Sequence, residues 1–143
     1  MRAYLPADCR YICLDVEIPK LQKFRHAHPS DGALLADATQ MPIPSSTVDV
    51  VLCVMMSHHL DDRQLESFLE EAARVVKEGG LFLFLDPVLA PRRLTARILW
   101  YLDRGSHPRG RVALERLIGE HFRVLEKEVF SIYHTYLLIA AER

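Results

Sequence analysis

Two kinds of segment alternate along this chain, and their order limits the available folds more than any single residue does. Residues 11–15 (YICLD), 33–36, Val48–Val54 (VDVVLCV) and 81–85 (LFLFL) are short apolar runs that predict strands. The near-continuous apolar character of Val48–Val54 predicts a strand covered on both faces. Between these runs, residues 19–26 form a short helix candidate. Residues 63–77 carry Leu65, Phe68, Leu69, Ala72, Ala73 and Val76 at three- and four-residue spacing, the mark of a helix with one buried face. Asp61 or Asp62 is expected to cap it, and Gly79-Gly80 to end it. Further helices are expected at 94–102 and 112–121, the latter turning Leu114, Leu117 and Ile118 inward. The chain closes on two consecutive strand runs, about 123–130 and 133–142, joined by a tight connection.

Strands alternating with helices predict a mainly parallel sheet with helices packed on it. The last two strands must be antiparallel, because a parallel pair needs a long crossover. The expected fold is therefore α/β: a Rossmann-like three-layer sandwich whose mainly parallel sheet ends in an antiparallel hairpin. With 143 residues and 50% apolar content, the whole chain, 1–143, is expected to be a single domain.

Charge and cysteine usage remove several function classes. The 18 basic and 19 acidic side chains nearly cancel, so nothing global points to nucleic acid or to an anionic membrane. Cys9, Cys13 and Cys53 are odd in number, with the spacing of neither a disulfide framework nor a zinc ribbon. Cys53 with His58 and His59 lacks a fourth ligand at useful spacing, so no metal is expected. The first ten residues carry no apolar signal stretch, and no run reaches the roughly 20 apolar residues of a membrane span. A cytoplasmic protein with reduced thiols is the expectation.

In doubly wound sheets, ligands bind at the carboxyl ends of the strands. Here those ends carry Asp15, Asp37, the segment 53–59 and Asp86. Leu14-Asp15, Ala36-Asp37-Ala38 with Met41-Pro42, Val48-Asp49-Val50-Val51, Ser57-His58-His59-Leu60 and Arg74-Val75-Val76-Lys77-Glu78-Gly79-Gly80 follow one another in order. Together they resemble the class I methyltransferases that use S-adenosylmethionine, particularly the small-molecule group. The likeness is close from residue 11 to residue 87 and general beyond. Val48 replaces the family's usual aromatic, and Glu78 its usual proline.

That resemblance implies roles. Asp15 would take the ribose hydroxyls of the cofactor, Asp37 the adenine amino group and the Ala38 amide the ring. Cys53 and Val54, ending the next strand, complete the expected cofactor contacts. His58 and His59 are the candidate bases for an acceptor that must lose a proton, against the reading that one orients the loop while the other packs. Asp49 is expected to tie neighbouring backbone. The acceptor would be a small or lipid-like molecule. Seven arginines between positions 91 and 116 suggest contact with a phosphate, a carboxylate or a membrane surface, or simply a wet helix face.

One family feature is missing. The resemblance implies a central first strand ending in Gly-x-Gly-x-Gly, in the sheet order 3-2-1-4-5-7-6, yet the first glycine here is Gly32. The chain is accordingly expected to be N-terminally truncated, lacking the strand that holds the methionine end of the cofactor. Loss of that strand would leave exposed sheet edges, through which the chain could pair with itself or with a partner. A non-catalytic or incomplete methyltransferase-like module is the first alternative, and a nucleotide-dependent oxidoreductase the second.

Overall fold

The computed structural model describes residues 5, 6, 8–90 and 107–143, so the helix expected at 94–102 lies outside the described residues. Two compact units emerge, residues 1–42 and residues 43–143.

In the first unit, β1 (Ile12–Asp15) and β2 (Gly32–Leu35) pair in parallel, Ile12 opposite Gly32 and Asp15 opposite Leu35. The crossover is α1 (Ile18–Ala27), which opens with a proline in its first turn, where the missing N–H is not needed. Its Leu21 is buried.

The second unit is a four-stranded sheet in the order β3-β4-β6-β5, built from β3 (Val48–Val54), β4 (Val76–Val88), β5 (Arg123–Ser131) and β6 (Thr135–Glu142). β3 and β4 are parallel, while β6 is antiparallel to both β4 and β5. Within each sheet the neighbours follow the expected order, 3-2 in the smaller and 4-5-7-6 in the larger. Among the described residues β1 pairs only with β2, and β3 only with β4.

The core lies on one face of the larger sheet. Phe82, Phe84 and Asp86 of β4 alternate onto that face beside Leu137, Ile139 and Ala141 of β6, all buried to within 1% of full burial. Against β4 lies α2 (Asp62–Val75), which buries Leu65, Phe68, Leu69, Ala72 and Val75. α3 (Arg111–His121) adds Leu114 and Ile118, with Leu117 only half-buried, and packs on α2 and β5. Phe122 stacks on Phe82 at 4.5 Å between ring centroids. The opposite face, with Leu81, Leu83 and Leu85, is half-buried. β3 departs from the expectation of cover on both faces: Val50 is 43% exposed and only Cys53 is buried.

The helix–strand boundary also differs from the sequence pattern. α2 ends at Val75, and Val76 is already extended (φ −68°, ψ 138°) and paired with Val48. The carbonyls of Arg74 and Val75 accept from the amides of Ser46 and Thr47, both at 2.9 Å, so the helix end is satisfied by a loop and needs no glycine cap. Gly79 and Gly80 instead belong to the entry of β4. Gly79 has φ +72°. A Cβ on Gly80 would lie 2.7 Å from Val76 Cγ1 and 2.9 Å from the carbonyl oxygens of Asp49 and Lys77.

Candidate functional site

The strand ends of the first unit present two carboxylates on adjacent strands. Asp15 ends β1, and its Oδ1 accepts from the Glu17 amide at 2.9 Å. The same residue's carbonyl accepts from the Ala36 amide, which fastens the exit of β2 beside the exit of β1. Two residues past β2, Asp37 Oδ1 accepts from both the amide and the hydroxyl of Thr39 at 2.8 Å. These Asx-type turns fix each carboxylate while leaving oxygens for a further donor. Val16, Ile18, Leu35, Ala36 and Asp37 line a shallow groove of about 280 Å³. Val16, Ile18 and Leu35 are each more than half exposed there. Apolar walls with one carboxylate suit a flat aromatic ring that carries a donor group. Ala38 follows half-buried.

The second unit holds the remaining candidates. β3 ends at Val54, and Met55 follows with φ +55°, a left-handed conformation that a non-glycine residue adopts at a cost of about 1 kcal/mol or more. The chain then makes a single 3₁₀ turn, Ser57–His59, before Asp61 caps α2 in a reciprocal box with Gln64. His58 is buried and its Nδ1 lies 2.8 Å from Asp86 Oδ1, so a carboxylate there makes Nδ1 the protonated nitrogen. His59 is exposed, with its ring centroid 4.1 Å from that of His58. Val54 is half-buried, and Cys53 is only 2% exposed. Burial, and secondarily the charge of Asp86, push the Cys53 thiol well above its ordinary pKa. That leaves main-chain atoms as the groups Cys53 can offer a ligand.

Two residues matter more than their sequence positions suggested. Asp86 ends a strand, but its complete burial is legible only from the packing. It accepts from the Ser57 hydroxyl, the His58 amide and the His58 ring. Arg109 was one of seven arginines that a wet helix face would explain. Instead its side chain is 9% exposed and donates to the carbonyls of Ser57 (3.0 Å) and Leu60 (2.8 Å) and to Asp62 (2.7 Å). Asp49, expected to hold backbone, binds the Lys77 ammonium at 2.7 Å, and that contact lowers its carboxyl pKa.

Comparison with known proteins adds the family. A model of the methyltransferase domain matches residues 1–84. The human thiol S-methyltransferase TMT1A is 28% identical over 95 residues, which cover 61% of this chain and 38% of the relative. Phthiotriol/phenolphthiotriol dimycocerosates methyltransferase 1 of Mycobacterium ulcerans (strain Agy99) is 32% identical over 108 residues, 76% of this chain and again 38% of the relative. The chain thus spans less than two fifths of the length of these curated relatives. Among solved structures, the N-methyltransferase NodS of Bradyrhizobium japonicum WM9, in complex with S-adenosyl-L-homocysteine, aligns with a TM-score of 0.75. The alignment covers 94% of this chain and 66% of NodS at 13% identity, a shared fold.

Proposed function

The chain belongs to the methyltransferase-domain family, and on that footing we propose that it transfers a methyl group from S-adenosylmethionine to a small-molecule or lipid-like acceptor. The observation that carries this reading is the pair of turn-fixed carboxylates, Asp15 and Asp37, on adjacent strand ends beside an apolar groove. The adenosine end of the cofactor fits that chemistry: Asp15 accepts from ribose hydroxyls, Asp37 from the adenine amino group, and the Ala38 amide donates to the ring. Family membership sets the oxidoreductase alternative aside.

When bound, the sulfonium supplies an electrophilic methyl group. The protein's part is to bind and orient, with the acceptor atom held in line at about 3–3.5 Å from the methyl carbon. Where the acceptor carries a proton, His59 is the exposed imidazole at the carboxyl end of β3 that can take it. The relatives' names support a lipid or sulfur acceptor: one acts on phthiotriol dimycocerosates and another on thiols.

The incomplete-module reading rests on its own observations. The sequence contains no Gly-x-Gly-x-Gly, and among the described residues β1 and β3 each pair on one side only. In that reading the chain is one methyltransferase-like domain lacking its central strand, and a further strand completes it. A radiolabelled methyl-transfer assay with a long-chain fatty acid and an alkyl thiol as acceptors tests the enzyme reading. Label in the organic phase is expected with at least one. Label with neither, together with no binding of S-adenosylhomocysteine, would leave the incomplete module.

A further inference from the structure

The Ser57–Leu60 segment carries both histidines on a single turn of three residues, and its N-cap has no side-chain hydrogen bond. A turn so short should be mobile, yet here its polar groups are taken one after another. Asp86 accepts from the Ser57 hydroxyl, from the His58 amide at 3.0 Å and from the His58 ring at 2.8 Å. Arg109 in turn donates to the carbonyls of Ser57 and Leu60, and the His107 amide donates to the carbonyl of His58 at 3.1 Å. Burying a carboxylate completely is costly unless every oxygen is bonded, and among the described residues each bond to the Asp86 carboxylate comes from this turn. Met55, immediately before it, is held in a left-handed conformation, the kind of strain that persists only where surrounding contacts fix it.

What this clamp leaves outside is His59. Among the described residues no group bonds its ring nitrogens, and its ring rests against that of His58. We infer that Asp86 and Arg109 are positioning residues, which clamp the Ser57–Leu60 turn so that His59 is presented in one orientation beyond the carboxyl end of β3. Asp86 acts through His58: it fixes the proton on Nδ1 and the plane of the ring against which His59 lies. Arg109 acts through the turn carbonyls. A lysine there would keep the charge but lose the fork that reaches two carbonyls and a carboxylate at once. The inference rests on the reading of His59 as the group that meets the acceptor, but the clamp itself can be measured without an acceptor.

The test compares the wild-type chain with Asp86→Asn and Arg109→Gln by long-range ¹H–¹⁵N spectra of the histidine rings. S-adenosylhomocysteine calorimetry and methyl transfer to the fatty acid and thiol probes are run alongside. In the wild type, His58 should show a single Nδ1-protonated form and His59 a sharp set of ring resonances. Both variants should broaden or shift the His59 resonances, and Asp86→Asn should also disturb the His58 tautomer. Affinity for S-adenosylhomocysteine should change by less than about twofold, while methyl transfer falls by up to about 100-fold, as expected when a reacting group is misplaced by an ångström. If Asp86→Asn fails to fold, Arg109→Gln carries the test. A folded Arg109→Gln variant with wild-type His59 resonances would overturn the clamp. Absence of S-adenosylhomocysteine binding in the wild type would overturn the proposed function instead, leaving the ring spectra to decide the clamp.

Discussion

Gly79 and Gly80 are adjacent in sequence, yet substituting them should have unequal effects for different reasons. Alanine at Gly80 would place a Cβ 2.9 Å from two backbone carbonyls, of Asp49 and Lys77, and 2.7 Å from Val76 Cγ1. Neither backbone can yield without disturbing the β3–β4 pairing, which already shifts register between Val48 and Val50. Val76 is fully buried and cannot swing clear. Overpacking of this kind costs about 1–3 kcal/mol. Alanine at Gly79 meets nothing within 4 Å, and its whole penalty is the left-handed backbone at φ +72°. That penalty is about 1–2 kcal/mol, offset by about 0.4–1 kcal/mol from the stiffer unfolded chain. Asparagine, which tolerates that backbone, should recover most of the loss at position 79. Urea denaturation followed by far-ultraviolet circular dichroism reads these differences. With a slope of about 1–3 kcal/mol per molar urea, Gly80→Ala should lower the midpoint by roughly 1 M. Gly79→Ala should lower it less, and Gly79→Asn least. A Gly80→Ala variant as stable as the wild type, or less harmed than Gly79→Ala, would refute the close-approach argument.

Three further outcomes follow from the same structure. Phe82 is fully buried and stacked on Phe122, so Phe82→Ala should cost about 3–5 kcal/mol in a thermal or urea melt, a large share of a typical domain's stability. Asp61→Ala removes the cap of α2 and its reciprocal box, for about 1 kcal/mol of stability in the same melts. Burial raises the pKa of Cys53 in the folded chain above its ordinary value of 9.0, so the unfolded chain gives up this proton first as pH rises. Its contribution to stability is therefore complete below about pH 9 and falls above it. Urea midpoints measured from pH 8 to 10.5 should decline less steeply in Cys53→Ala, and iodoacetamide at pH 8 should spare Cys53 until the chain is unfolded.

The parts of this fold that could be read in advance are those fixed by periodicity. Leu81–Leu85 alternates onto two faces and forms the middle of β4, and Leu65, Phe68, Leu69 and Ala72 of the expected stripe pack as the spacing of three and four requires, whereas Ala73 is half-buried and Val76 falls in β4. The closing hairpin followed from a connection too short for a crossover. What periodicity could not supply was the contest at the end of α2. There, pairing of Val76 with Val48 ends the helix before the glycines do, and loop amides replace the glycine cap. The candidate site divides in the same way. Asp15 and Asp37 announce themselves because a carboxylate at a strand end is visible in the chain. Arg109 does not, because 52 residues separate it from the Ser57 carbonyl it holds and a string of neighbouring arginines hides it. The burial of Asp86 likewise depends on its pairing with β6 and on the Ser57–His59 turn that bonds it, not on its neighbours in sequence.

The central claim, that Asp15 and Asp37 form the adenosine end of a methyltransferase cofactor site, is tested most directly by calorimetric titration with S-adenosylhomocysteine and with NAD. The account predicts a micromolar Kd for S-adenosylhomocysteine, near −8 kcal/mol, and no response to NAD. Asp37→Ala should weaken binding by at least about tenfold, the worth of one hydrogen bond to a charged acceptor. No heat with S-adenosylhomocysteine, or an unchanged Kd in Asp37→Ala, would contradict it.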